Sequence, residues 1–441
     1  MNANTPARSL LLIVPLLAGL LATPAGRAAE GSGLFERSAM RETDLTGLKI
    51  RVGRPVQVTA QLSWETRWLG EDGQPVWAFA HFFPTIVAFP KGNLIATYAM
   101  DPDRQDNPLF ANGYQISGDG GRTWGRRMSV IMQHNPMVYV PRDADTLLGI
   151  PCELMRASPQ DERNFVGPAC YFESGGSRLV MVPDGVRVVD WPWPVEVTPS
   201  PQPSENWHVG ICITGSVLKS GDSTLATVYG RRMGDKVLRT MLVASKDGGL
   251  TWRYYATVAA GDPALAGKKG YEGANEPALI RLANGELMEV FRQGSGRAWN
   301  LLRSYSRDEG LTWSAPDVLP AFSVKPALVR TANGTIVLAT GRPGIDLWVS
   351  TDGRGTSWQR LDLIAQHNAW TEDPFLRISS TESGQGIKWQ TTSYTQMVEV
   401  APNRLLLIYE RDAVTRPPEA APKSPKDLSR VFVMPIQIGP N

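Results

Sequence analysis

Short apolar runs alternate with clusters of Gly, Asp, Asn and Pro along most of the 441-residue chain. The runs TIVAFP, NLIATYAM, STLATVYG, VLRTMLVAS, ELMEVFRQ, TIVLATG and RLLLIYE are six to nine residues long, rich in β-branched and aromatic residues, and bounded by turn formers. That pattern predicts strands. Helical periodicity is weak. Many short strands at turn-marked intervals favour radial blades or a sandwich over alternating β/α units.

One turn recurs. SGDGGRTW at Ser117–Trp124 returns as SKDGGLTW at Ser245–Trp252 and SRDEGLTW at Ser306–Trp313, and a fourth copy, STDGRGTSW at Ser350–Trp358, carries one extra residue. Asp119, Asp247, Asp308 and Asp352 are placed to accept backbone hydrogen bonds, Gly permits a left-handed path, and the closing Trp packs back on the sheet. The expected role is folding rather than chemistry. The first three boxes start 128 and 61 residues apart and the fourth follows after 44, so one blade without the motif fits the first interval. Six blades sharing the roughly 412 residues that follow residue 29 give roughly 69 residues each, enough for four strands and loops. The segment Val431–Ile438 is expected to close the ring beside an N-terminal strand around Val58–Leu62.

Arg8, the apolar run Leu10–Leu21 and small residues up to Ala29 read as an export signal, too short for a permanent span. The expected division is therefore a signal at residues 1–29 and a single propeller domain over 30–441, in the periplasm or secreted. Charge is balanced, with 45 Lys and Arg against 43 Asp and Glu. Removing residues 1–29 deletes Arg8 and Arg27 and no acid, so the remaining chain is formally neutral. Without a basic stripe, no nucleic-acid partner is expected. In an oxidising compartment Cys152 and Cys170 could bracket a loop, with Cys212 left as a buried thiol. No spacing suggests a metal or a cofactor.

The boxes and their surroundings resemble the bacterial sialidase superfamily over about Val58–Ile438, which implies an all-β, six-bladed propeller of sialidase type. YEGANEPALIRLANGELMEVFRQGSG, from Tyr271 to Gly296, and TSYTQMVEVAPNRLLLIYE, from Thr392 to Glu410, carry the more specific likeness. It implies Glu276 as the sialidase glutamate, Arg292 as an arginine for a substrate carboxylate, and Tyr394 as the nucleophile. The chemistry is coherent by itself: Glu276 can accept the phenolic proton, and a neutral tyrosine is less repelled by an acidic sugar than a carboxylate. Arg342, in ATGRPGIDLW, is a second clamp candidate. The first motif departs from the pattern, because HFFP has Phe82 where the arginine should stand, with His81 beside it. The loop DPDRQDNPLFANG then places Asp106, with Asp103 and Asp101 as fallbacks, where an acid/base carboxylate is expected.

His81, His134, His208 and His367 are possible proton-transfer groups for a different reaction on the same scaffold. His134 in IMQHNP and His208 in NWHVG also have neighbours suited to a sugar site. WTEDPF adds Trp370 and Asp373 as pocket candidates. The leading expectation is an exo-acting glycoside hydrolase that releases a terminal acidic sugar from an oligosaccharide or polysaccharide. The alternatives are a histidine- or tyrosine-dependent polysaccharide lyase, a uronate-active glycosidase, and a noncatalytic glycan-binding propeller.

Overall fold

The computed structural model describes residues 33–45, 47–59, 67–69, 75–77, 82–99, 111–131, 136–156, 165–167, 169–176, 179–182, 185–189, 211–231, 234–295, 298–342, 344–374, 376–378, 394–411 and 430–440. Six sheets stand around an axis as a six-bladed β-propeller. Blade one runs Phe82–Ala88, Leu94–Ala99, Ala111–Ser117 and Met128–Ile131. Blade two is Pro136–Pro141, Thr146–Pro151, Cys170–Glu173 and Leu179–Met181. Blade three is Ile211–Ser220, Ser223–Gly230, Arg239–Ser245 and Thr251–Ala260. Glu153–Arg156, Phe165–Gly167 and Val186–Val189 enlarge that third sheet and close it on itself. Blade four is Tyr271–Arg281, Leu287–Gly294, Leu302–Ser306 and Asp317–Val318. Blade five is Val324–Arg330, Ile336–Gly341, Ile345–Ser350 and Gln359–Asp362. Blade six joins Gln396–Ala401, Arg404–Arg411 and Arg430–Pro440 to Leu48–Gly53 and Met40–Leu45 from the start of the chain.

The apolar runs are continuous because each blade is covered on both faces by its neighbours. On the strand Leu287–Gly294, Leu287 and Phe291 pack towards blade three with Leu225 and Leu242, while Met288 and Val290 pack towards blade five with Leu328 and Leu338. Alternate side chains point to opposite faces of a strand, so both faces must be apolar. Six such clusters fill the six inter-blade interfaces.

The four boxes link the third and fourth strands of blades one, three, four and five, and blade two is the one that spans the first interval without a box. Each aspartate ties its own turn. Asp247 accepts from Ser245 Oγ (2.9 Å), Leu250 N (3.1 Å), Thr251 N (2.9 Å) and Thr251 Oγ1 (2.5 Å). Trp252 and Trp313 donate their indole N–H to Gly249 and Gly310. The folding role expected for the boxes accounts for every one of these bonds.

Two expectations need correction. The ring closes on Leu48–Gly53 and Val56–Gln57, which pair with Arg430–Pro440 (Ile50 with Ile438, Val56 with Val433), and Val58 N donates to the Val431 carbonyl; the closing segment thus reaches the expected Val58 but begins about ten residues earlier, and residues 60–62 lie outside the described residues. The alternation in Leu48–Gly53, with Leu48, Ile50 and Val52 all buried, is the signal for it. Cys152, Cys170 and Cys212 form no disulfide with one another. Cys170 faces the apolar layer between blades one and two, where burial pushes its thiol up to about 12, and it pairs across the sheet with Gly149 rather than reaching Cys152.

The helix Leu363–Trp370 leads from blade five towards blade six, capped by Asp362, whose carboxylate accepts from the amides of Ile364 and Ala365. Among the described residues no helix is long and apolar enough to cross a membrane.

Candidate active site

The first strands of blades one, four and five share one irregularity. Phe82 pairs with Ala99, Asn275 with Arg292 and Val324 with Gly341, and in each strand the register then slips by one residue. The next residue in each case is Phe83, Glu276 or Lys325, with φ of 54°, 44° and 33°, and a proline follows all three. A bulge of this kind re-aims one side chain and shortens the ladder. A left-handed non-glycine residue costs about 1–3 kcal/mol and persists only where its surroundings hold it. The three bulges converge with Tyr394, which stands just before the first strand of blade six: the Phe83 ring lies 4.7 Å from the Tyr394 ring, centroid to centroid.

Glu276 is the hub. Its Oε1 accepts from the Tyr394 hydroxyl, and its Oε2 accepts from Arg292 Nε (2.5 Å) and from the backbone amide of Lys325 (2.8 Å). Arg292 Nη1 also donates to Glu272 Oε1 (3.0 Å) and Ser295 Oγ (2.9 Å), and Glu272 is held in turn by Asn275 Nδ2 (2.9 Å). The buried Lys325 Nζ lies 3.5 Å from the Thr395 carbonyl and 5.6 Å from the Tyr394 ring centroid. Burial alone would push the Glu276 carboxyl up, but the Arg292 charge and the bonds from Tyr394, Arg292 and Lys325 outweigh it and hold Glu276 below the usual carboxylate range. Burial and then the Glu276 charge drive the Tyr394 phenol well above its ordinary value. At neutral pH the couple is therefore a carboxylate accepting a proton from a phenol. Arg292 would be lowered by burial, yet the charges of Glu276 and Glu272 raise it, so it stays a cation.

The structure thus brings Glu276, Arg292 and Tyr394 together. Arg292 differs from the expected clamp in one respect: its Nε and Nη1 already serve Glu276, Glu272 and Ser295. Arg342 follows Gly341 at the end of its strand, the same end of blade five as Lys325 in the Val324–Gly341 register, and has φ of 29°. Trp370 and Asp373 lie elsewhere. They line a cavity of about 360 Å³ with Arg54, Gln57, Leu376 and Phe432 on the outer side of blade six, where the Trp370 indole donates to the Val52 carbonyl (3.3 Å). Asp106, Asp103, Asp101, His81, His134 and His208 lie outside the described residues, and so does the side chain of Phe82.

His367 is ruled out as a proton-transfer group. It is buried between Tyr409 Oη (2.6 Å from Nδ1) and the Leu376 carbonyl (2.9 Å from Nε2), so Nε2 carries the proton and Nδ1 accepts. Burial lowers it to about 4, against the opposing effect of the Leu376 bond.

Lys325 and Glu272 are absent from the sequence expectations. A signal for Lys325 exists: EPALIRLANG at 276–285 and KPALVRTANG at 325–334 are one hairpin repeated 49 residues on, which places Lys325 where Glu276 stands. Phe83 lies in the HFFP segment that drew attention to Phe82, one residue further.

Residues 188–403 match the family model for a BNR repeat-like domain. That span holds three of the four boxes together with Glu276, Arg292, Lys325 and Tyr394. No curated protein matches the chain. Among solved structures, a protein of unknown function from Dyadobacter fermentans is similar in fold, with TM-score 0.58 at 16% identity over 90% of this chain and 100% of that one. The α-L-arabinofuranosidase of Fusarium graminearum, in complex with an iminosugar inhibitor, has TM-score 0.52 at 14% identity over 87% of this chain and 97% of its own. The α-L-arabinanase of Penicillium chrysogenum, with arabinobiose, has TM-score 0.51 at 13% identity, covering 88% and 98%. At these identities the likeness is one of fold: the chain is a six-bladed propeller, and its residues 188–403 match a BNR repeat-like domain.

Proposed function

We propose that this protein is an exported glycoside hydrolase in which Tyr394 is the nucleophile and Glu276 its proton acceptor. The observation that carries the reading is the partly buried hydrogen bond from the Tyr394 phenol to a buried carboxylate held ionised by Arg292 and the Lys325 amide. Transfer of the phenolic proton to Glu276 Oε1 frees Tyr394 Oη to attack the anomeric carbon. The bond from that carbon to the leaving oxygen breaks, and the oxygen takes its electron pair and a proton from an acid, the role assigned to Asp106. Water then releases the sugar from Tyr394, so two displacements retain the anomeric configuration. The carbohydrate named in the two solved enzymes of like fold supports a sugar substrate.

For the sugar itself, we propose a terminal acidic residue, supported by Arg342 at the Lys325 end of blade five. A second reading, a neutral pentose, is favoured by the engagement of Arg292 with two carboxylates and by the apolar Phe83 against Tyr394. A panel of fluorogenic sialosides, uronides and arabinofuranosides separates the two. On whichever substrate is turned over, Tyr394→Phe should lose at least about a thousandfold in kcat with its circular dichroism unchanged. Unchanged turnover in that variant defeats the mechanism. Unsaturated products from an acidic polysaccharide would indicate elimination instead.

A further inference from the structure

The residues around Glu276 do not balance in charge without Lys325. Among the described residues Glu276 and Glu272 both pair with Arg292, two carboxylates to one guanidinium, which leaves an excess negative charge at the phenol–carboxylate couple. Lys325 approaches the couple from the other side. Its amide fixes Glu276 Oε2, its Nζ lies over the Tyr394 ring, and its bulge sets both at once.

We propose that Lys325 is a positioning residue whose ammonium group neutralises the Tyr394–Glu276 couple, so that the site works only while Lys325 is protonated. The inference deepens the hydrolase reading and rests on it. As the phenolic proton moves to Glu276, the negative charge moves onto Tyr394 Oη, and a fixed cation beside the ring favours that relocation without reorganisation. No proton leaves Lys325 in the step.

The groups that bear on Lys325 are Glu276 from blade four, Tyr394 from the entrance to blade six, whose ring lies under its Nζ, and Cys152, which follows the second strand of blade two; Arg292 on the next strand of blade four pairs with Glu276, and Arg342 stands at the end of the adjoining strand. Burial lowers Lys325 to about 8, with the Glu276 charge opposing that effect. The protonated state is therefore held in the neutral range and lost in mild alkali.

The test has two arms. In the first, kcat of the wild type on its best glycoside should fall about tenfold per pH unit above the Lys325 midpoint. Lys325→Arg should carry that limb at least one unit higher, because a guanidinium keeps its charge. Lys325→Met should lower neutral-pH kcat about a hundredfold with KM changed much less. The second arm needs no substrate. In protein labelled with carbon-13 at the lysine side chains, the resonance that vanishes in Lys325→Arg should titrate near pH 8 and move lower in Glu276→Gln, which removes the opposing charge. An alkaline limb unmoved in Lys325→Arg, a Lys325 midpoint at the ordinary lysine value, or one unmoved by Glu276→Gln overturns the proposal. Failure to turn over any glycoside overturns the hydrolase reading instead, and the second arm then decides the charge coupling alone. Because the arginine variant and the wild-type titration carry the decisive readouts, misfolding of Lys325→Met would leave the test intact.

Discussion

Glu276 and Glu289 lie on one hairpin, both buried, with opposite acidities. Glu276 is held below its usual range by ion pairing and hydrogen bonds, whereas Glu289 faces the apolar layer of Leu287 and Phe291. Neither carboxyl oxygen of Glu289 has a hydrogen-bond partner among the described residues, and burial, only partly offset by neighbouring Thr240, drives it well above the usual range. Their effects on stability have opposite signs. The contribution of Glu276 is present above its unfolded value and is lost as pH falls through the lower folded one. That of Glu289 is full below its unfolded value, near 4.5, and is lost as pH rises towards the raised folded one, at about 1.4 kcal/mol per pH unit for a single proton. Glu289→Gln should therefore flatten the decline in stability between mildly acidic and neutral pH, measured by urea unfolding at a series of pH values. An unchanged slope would mean that Glu289 ionises in the fold. This site was half legible from residue types: Glu276, Arg292 and Tyr394 stand in motifs, but that Arg292 faces two carboxylates depends on rotamers and neighbours that no spacing encodes.

At the scale of the element, each box turn is also an inter-blade contact. The glycine at the fifth position of the boxes in blades one, three and four (Gly121, Gly249 and Gly310) has φ of 94°, 94° and 90°, and a Cβ there would meet Leu406, Val140 and Leu242 of the preceding blade at 2.8, 2.9 and 2.6 Å. Gly334, on a hairpin of blade five, has the same left-handed backbone (φ 88°) and nothing within 4 Å. Gly310→Ala should thus cost about 2–4 kcal/mol, combining backbone strain and overpacking, and Gly334→Ala only about 1–2 kcal/mol of backbone strain. Equal losses of melting temperature in the two variants would refute a contact role for the box glycine. The turn itself was readable from its Asp, Gly and Trp, since hydrogen bonding inside eight residues is local. Its grip on the preceding blade was not, because the partners lie tens of residues or more away in sequence.

The whole molecule depends on closure. Blade six joins the two ends of the chain, with Ile50 paired to Ile438 and fully buried between blades five and six. A closed ring leaves no blade with an uncovered face and protects the long strand Arg430–Pro440. Ile50→Ala should cost about 2–5 kcal/mol and lower the single cooperative melting transition. Deleting residues 1–53 should expose that strand, and size-exclusion chromatography should then show association or aggregation. A monomeric, fully stable truncation would refute closure as a source of stability.

The class of fold was present in the chain order alone. Strand-length apolar runs, four local turns of one kind and their spacing point to radial blades or a sandwich, because pairing between consecutive segments is local, and the resemblance of the boxes selects the propeller. Glu276 and Tyr394 were legible through the resemblance of their two segments, Tyr271–Gly296 and Thr392–Glu410, to the sialidase pattern. What only the tertiary structure decided is long-range: which N-terminal strand closes the ring, that the cysteines stay apart, that Trp370 and Asp373 line a separate cavity, and that Lys325 completes the charge around Tyr394. Three bulges from three blades converge on that tyrosine, and convergence of this kind depends on how the blades pack around the axis, which no single segment contains.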